Sequence, residues 1–170
     1  MGIKLNLGCG NKKIDGFIGV DYIGTEAVDI IHDLNMTPYP FAADSVDEIV
    51  ADNVLEHLAD VIAAMEELYR LCQNGAIIKI SLPYYKSSGA FSDPTHKHFF
   101  TENSFQYFNP GHEYHFYTKA KFKILEVKLI AKDFNDNRHK LRNLLPFKKL
   151  FNFFLFNIYD EIYFKLECLK

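Results

Sequence analysis

Five short apolar runs, several rich in β-branched residues, recur along the first half of the chain: residues 3–7, 17–20, 27–31, 46–51 and 76–82. Some are apolar at nearly every position, as strands buried on both faces are. Between the last two runs, Val61, Ala64, Met65, Leu68 and Leu71/Cys72 recur at helical spacing, with Glu66, Glu67 and Arg70 on the other faces. Asp60 can cap the start of that helix, and Asn74-Gly75 tolerates the left-handed conformation that ends one. Strands alternating with a helix predict an α/β domain with a mostly parallel sheet. Fewer residues separate the first two runs than the roughly 10–12 a parallel crossover normally takes. The first helix is therefore expected to shrink to about a turn, or the strands to be shorter than their apolar runs.

After residue 83 the pattern changes. Residues 84–100 read as a polar and aromatic loop, from Tyr84-Tyr85-Lys86-Ser87-Ser88-Gly89 to Phe99-Phe100. Thr101 with Asn103/Ser104 can start a short helix through Phe108, which Asn109-Pro110-Gly111 stops. Residues 122–131 alternate as a strand does, residues 138–158 read as one helix, and residues 162–169 as a last strand. The second half of that helix is apolar on more than one face (Phe151, Phe153, Phe154, Leu155, Phe156), as in a helix that is buried, meets a partner or touches a membrane surface. Lys148 and Lys149 fit a membrane-surface helix, so peripheral membrane contact stays open, while burial or contact with a second copy of the chain is the more ordinary reading.

Composition narrows the field. The chain has 170 residues, enough for one domain with a real core. A formal net charge of −3 gives no electrostatic reason to expect nucleic acid as a partner. Cys9, Cys72 and Cys168 are widely spaced without a CxxC pair, which argues against a disulfide framework or zinc knuckle and fits a reducing compartment. The opening residues lack a basic region followed by an apolar signal core, so a cytoplasmic protein is expected, and no apolar run reaches the length of a membrane span.

The candidate chemistry begins at Ile3-Lys4-Leu5-Asn6-Leu7-Gly8-Cys9-Gly10, a strand reading into two glycines, followed by Phe17-Ile18-Gly19-Val20 and then Asp21. Glycines let the backbone turn sharply and approach a ligand closely, and an acid ending the next strand can accept hydrogen bonds from a ribose diol. A dinucleotide fingerprint would need a third glycine where Lys13 stands, and Gly-Lys-Ser/Thr never occurs, so neither NAD nor ATP finds its phosphate loop. A ligand with a ribose and a charged amino-acid end, but no pyrophosphate, suits the pattern better.

Leu5-Asn6-Leu7-Gly8-Cys9-Gly10, Val20-Asp21, His32-Asp33-Leu34, the run from Pro40 to Val50 and Val54-Leu55-Glu56-His57-Leu58 resemble the class I S-adenosylmethionine-dependent methyltransferases. The resemblance is to the small type-11-like group with a shortened first helix. It covers about residues 3–108 and, in weaker form, the closing strands. It implies a Rossmann-like α/β fold with a mostly parallel sheet and an antiparallel final strand. It also implies one domain over residues 1–170: a cofactor-binding half at 1–83, a substrate-side loop and helix at 84–121, and closing strands with a C-terminal helix at 122–170. The implied cofactor is S-adenosylmethionine, and the implied acceptor is a small molecule, a sugar or a lipid-linked glycan. Gly8, Cys9 and Gly10 would line the methionine part, Asp21 would hold the ribose, Asp33 and Leu34 would meet the adenine, and Asp52 or Asn53 would sit near the transferred methyl. Asn6 stands where the family carries an acid, and Lys12 where its loop has a third glycine. The Asn6 side-chain oxygen can still accept from the ligand's ammonium.

A hydroxyl acceptor would also need a base. The candidates are His57, in a helix-like segment beside the proposed cofactor, and His96 and His98 in Asp93-Pro94-Thr95-His96-Lys97-His98. The resemblance places that second segment over the mouth of the site. In an extended segment His96 and His98 share one face and, with Asp93, could ligate a metal, which makes a metal-dependent hydrolase the remote alternative. A lid loop fixed by hydrogen bonds is the preferred reading, and no metal is expected. Tyr84, Tyr85, Phe91, Phe99 and Phe100 could line an acceptor site, although such residues are more often core. A methyltransferase-like binding subunit without catalysis is the other alternative.

Overall fold

Leu5, Leu7, Val20, Ile49, Ile78 and Ile80 are all buried, because the strands that carry them lie in the middle of one sheet. The computed structural model describes residues 2–133 and 137–170, with Arg138 described by its backbone alone. Seven strands form the sheet: β1 (Ile3–Leu7), β2 (Ile18–Asp21), β3 (Ile30–Ile31), β4 (Val46–Asp52), β5 (Cys72–Pro83), β6 (Phe122–Ile130) and β7 (Glu161–Cys168). Their order is β3-β2-β1-β4-β5-β7-β6. The first five strands pair in parallel, and β7 inserts antiparallel between β5 and β6. The expected mostly parallel sheet with an antiparallel final strand is the fold observed.

Helix α1 (Val61–Leu71) connects β4 to β5 and buries Ala64, Met65, Leu68 and Leu71. Asp60 caps it as expected, its side chain accepting from the Ala63 N–H at 2.9 Å. Asn74-Gly75 does not end it. The helix passes into β5 at Cys72, and Gly75, at φ +83°, lies where β5 slips register against β4. Such a kink needs the left-handed conformation as much as a helix cap does, so the same residues answer a different demand.

Between β1 and β2 the helix is gone altogether. Residues 8–17 are turns and open chain, and β1 still pairs with β2 in parallel. The loop starts at Gly8, with φ +59°, where a Cβ would lie 2.4 Å from Val54 Cγ2. Gly10 follows at φ +51° with open space around it.

Arg70 and Glu67 tie residues 34–41 to α1. Glu67 Oε1 accepts from the Tyr39 N–H at 2.6 Å and from Arg70 Nη2 at 2.6 Å, and Arg70 also donates to the Tyr39 and Phe41 carbonyls at 3.1 Å. The Tyr39 hydroxyl then donates to the Leu34 carbonyl at 2.8 Å.

The second half departs further from the sequence pattern. Helix α2 (Gly89–Ser92) is a single turn inside the loop read from residues 84–100. Ser104–Phe108 winds as a 3-10 helix and is stopped by Asn109. The single helix read over residues 138–158 is two short ones, α3 (Asn137–Leu144) and α4 (Lys148–Phe154). Pro146 breaks it: it has no N–H to donate and keeps the residue before it out of the helical region, and Phe147 turns to φ 53°. Burial of the apolar face is also not observed. Leu144, Phe147 and Phe153 are at least 77% exposed. Polar residues face inward instead: Arg142 pairs with Asp160 at 2.8 Å, and Asn152 donates to the Tyr84 hydroxyl at 2.9 Å.

Burial alone would raise the Glu67 carboxyl, but Arg70 and the Tyr39 N–H hold it below the ordinary carboxylate value of 4.5. Glu67→Gln is expected to cost about 1–3 kcal/mol in urea unfolding at pH 7. A depressed carboxyl stabilises above its unfolded pKa, and that contribution is lost as pH falls through the folded value, so the deficit should shrink in acid. Gly8→Ala should lower thermal stability clearly more than Gly10→Ala, which meets the same left-handed backbone but no neighbour; the latter should cost about 1 kcal/mol.

Candidate active site

The carboxyl ends of parallel strands are where open α/β sheets bind ligands. Here the ends of β1, β2 and β4 border a cleft of about 570 Å³, lined by Gly8, Asp21, Asp33, Leu34, Asn35, Asn53, Val54 and His57, with Pro94, Thr95 and Lys97 of the following loop. Asp21 is buried, and both its oxygens are steered by backbone: Oδ2 accepts from the Gly10 N–H at 2.8 Å and Oδ1 from the Ile23 N–H at 3.1 Å. Each oxygen keeps lone pairs for a further donor. Asp33 Oδ1 accepts from the backbone N–H and then the side-chain amide of Asn35, both at 2.9 Å, which holds its carboxyl below the usual range.

The remaining residues of the glycine loop act from behind the cleft. Asn6 is buried, and its amide donates to the Lys12 carbonyl at 2.8 Å. The Cys9 thiol points into the protein toward the Ala27 carbonyl, at 3.6 Å, and burial raises its pKa. Expected at the ligand, the Cys9 side chain belongs to the core. Lys12 Nζ makes a 2.6 Å ion pair with Asp52 Oδ2, while Asp52 Oδ1 accepts from Asn53 Nδ2 at 2.8 Å. Neither Lys12 nor Asp52 lines the cleft, although the pair spans the ends of β1 and β4.

A second cleft, of about 640 Å³, shares Asn53 and His57 with the first. Its walls are polar: Ser88, Ser92, Asp93, His96, Lys132, His139, Asp160 and Glu161. His57 ends a 3-10 turn at Leu55–His57. Its Nδ1 lies 2.9 Å from Thr95 Oγ1, which lies 2.6 Å from Asp93 Oδ1. A threonine hydroxyl has one proton, and donating it to the carboxylate makes it the acceptor from His57 Nδ1–H. That tautomer leaves His57 Nε2 bare. Burial, and then the neighbouring His96, push the His57 pKa below 6.5. His96 packs edge-on against His57, with ring centroids 4.8 Å apart. Its Nδ1 is 2.8 Å from the Ala90 carbonyl, which only accepts, so its Nε2 is bare as well.

His98 does not join them. Its Nε2 is bonded to the Leu58 carbonyl at 3.0 Å, so the Asp93, His96 and His98 ligand set is not assembled. Tyr84 and Phe100 are core, whereas Phe91 and Phe99 stack at 4.6 Å on the surface. The residue missed in the sequence is Glu56. It is 1% exposed, neither of its carboxylate oxygens has a hydrogen-bond partner among the described residues, and burial pushes its pKa up to about 7. The signal was an acid beside His57 in Leu55-Glu56-His57-Leu58. The Glu56 carbonyl accepts from the Lys97 N–H at 2.7 Å and the His98 N–H at 3.3 Å, docking the loop that carries His96.

Residues 18–80 match the Methyltransf_11 model, described as a methyltransferase domain. No curated protein matches the chain in sequence. Among solved structures, an S-adenosylmethionine-dependent methyltransferase from Mesorhizobium loti superposes with a TM-score of 0.61 at 13% identity, covering 98% of this chain and 90% of that one. One from Archaeoglobus fulgidus gives 0.62 at 16% identity, covering 98% and 86%. A putative methyltransferase from Haloferax volcanii, in complex with the Trm112 methyltransferase activator, gives 0.64 at 13% identity, covering 99% and 83%. At such identities the superpositions establish the fold, and the sequence match to a methyltransferase domain is confined to residues 18–80. Among the described residues no helix is long and apolar enough to cross a membrane. Sheet order and strand pairing give this chain the Rossmann-like fold of the class I methyltransferases, and residues 18–80 of it match a methyltransferase domain.

Proposed function

We propose that the first cleft holds S-adenosylmethionine and that the second takes a hydroxyl-bearing acceptor, a small sugar or a lipid-linked glycan. One observation carries this reading: the two clefts meet at Asn53 and His57. Methyl transfer is an in-line displacement, so donor and nucleophile must approach one point from opposite sides.

The residues fit the cofactor. The free lone pairs of Asp21 suit a ribose diol, Asp33 Oδ2 suits an adenine amino group, and Leu34 offers an apolar face to the base. Lys12 and Asp52 carry opposite charges at the edge nearest the loop. They stand outside the cleft's lining, where a zwitterionic amino-acid end reaching past the cleft toward the loop would meet Lys12 with its carboxylate and Asp52 with its ammonium. Asn6, Cys9 and Gly10 shape this loop through their buried bonds.

When bound, the cofactor supplies an electrophilic methyl on a positively charged sulfur. The chain aligns the acceptor and excludes water. A hydroxyl must lose its proton as the methyl arrives, and the bare Nε2 atoms of His57 and His96 are the groups at the junction that accept its hydrogen bond. The hydroxyl, carboxylate and ammonium groups of the second cleft suit a polyol. The lipid-linked form is supported at its rim. Gly89 and Ser92 of α2 line the cleft, and Phe91 between them stacks on Phe99 and meets Phe156, all three about half exposed. Residues 84–121 then form the acceptor side of a single domain.

A second reading, a binding subunit without turnover, is favoured by the exposed aromatics of α4 and by the Haloferax neighbour's complex with an activator. Cofactor binding with no turnover on a panel of acceptors, together with a stable partner in pull-downs, would select it.

S-adenosylhomocysteine is expected to raise the melting temperature, and no shift at millimolar ligand would remove the cofactor reading. By calorimetry, Asp21→Asn should weaken S-adenosylhomocysteine about tenfold or more. Lys12→Met should weaken S-adenosylhomocysteine but not methylthioadenosine, which lacks the amino-acid end.

A further inference from the structure

We infer that Glu56, His57 and His96 form a binding site for a divalent first-row transition-metal ion beside the junction of the two clefts. One donor atom from each residue lies within 4.8 Å of the other two. Three features make this more than proximity.

The first is the orphaned carboxylate. Glu56 is almost fully buried, and among the described residues neither of its oxygens has a hydrogen-bond partner. Burying an ionisable group without a partner is costly, and a cation is the partner that such a group lacks. The second is the state of the histidines. A metal-bound imidazole characteristically donates its other N–H to a carboxylate or a backbone carbonyl, which fixes the tautomer. Both occur here. His57 Nδ1 reaches Asp93 through Thr95, and His96 Nδ1 is held by the Ala90 carbonyl. Each ring therefore keeps its Nε2 lone pair for the ion. The third is chemical type. Two imidazoles and one carboxylate suit zinc, iron(II), manganese or cobalt better than magnesium or calcium, and three protein ligands leave a position open. Ligand atoms about 2.1 Å from an ion stand about 3.4 Å apart in a tetrahedral set, within the 4.8 Å span of the three donors.

The role of the ion deepens the proposed function and rests on it; the site itself does not. His57 and His96 line the second cleft, so the open position faces the acceptor. An acceptor hydroxyl bound there becomes more acidic. With the ion bound, the two Nε2 lone pairs are ligated and no longer accept from the hydroxyl, whose proton leaves instead to Asp93, with Oδ2 4.0 Å from His96 Nε2. The oxygen–methyl bond forms as the sulfur–methyl bond breaks, and the electron pair of that bond stays on sulfur.

The test is a Co²⁺ titration of chelator-stripped protein, followed by visible absorption, with Zn²⁺ as the competitor. The expected result is saturable uptake of a single ion per chain. Glu56→Gln and His96→Asn should each weaken Co²⁺ roughly a hundredfold or more, and Thr95→Val ten- to a hundredfold through His57. His98→Asn should bind as the unmodified chain does. Glu56 and His96 do not line the first cleft, so their variants should keep the thermal shift with S-adenosylhomocysteine, which also reports that they fold. No saturable Co²⁺ uptake by the unmodified chain overturns the site, even if a variant fails to fold. Uptake unaffected by Glu56→Gln and His96→Asn overturns it too. Co²⁺ uptake with no response to S-adenosylhomocysteine in the unmodified chain would remove the cofactor reading and leave the metal site standing.

Discussion

Everything at the first cleft follows from one constraint: β1 and β2 are parallel neighbours, yet no helix links them. A crossover helix would satisfy its own backbone and present an electropositive N-terminus to the ligand. Residues 8–17 have neither, so side chains hold the loop. Asn6 holds the Lys12 carbonyl, Asp21 holds the Gly10 N–H, and the Thr25 hydroxyl holds the Gly10 carbonyl. Positive charge returns at the same edge on a side chain, the Lys12 ammonium against Asp52. The two departures from the family pattern, Asn6 and Lys12, are thus parts of one solution. An amide that donates to a carbonyl closes the loop in a way that a carboxylate could not.

The opposite wall of the cleft is held from a distance. Glu67 and Arg70 on α1 clamp the segment containing Tyr39, whose hydroxyl fixes the Leu34 carbonyl. A helix on one layer thereby sets the position of a residue in the cleft through a chain of three hydrogen-bonded groups. Packing alone would leave residues 34–41, which contain no strand or helix, weakly defined.

What was legible in the sequence was local. Apolar runs marked the central strands, and Asp60 marked the start of α1, because a period and a cap are written in neighbouring residues. Gly8 and Asp21 were legible as a strand running into glycines and an acid, His57 as a base candidate, and Asp33, Leu34 and Asn53 through a resemblance; all six line one cleft. The misses were non-local or unweighed. Pro146 lies inside the span that apolar spacing marks as one helix, and its missing N–H, which that spacing does not register, divides it. Gly75 met a register shift that only the partner strand reveals. Glu56 was passed over because its significance depends on His96, forty residues away in the chain, and on what fails to bond to it.

Glu56 joins two jobs in a single residue. Its carbonyl receives Lys97 and His98, so it is the mooring of the loop over both clefts, while its carboxylate faces the histidines that this loop completes. Any swing of the loop that frees the mooring also takes Thr95 from His57 and His96 from Glu56. One residue thus sets two things at once: the carbonyl that holds the loop and the carboxylate that faces the histidine carried by that loop belong to the same amino acid.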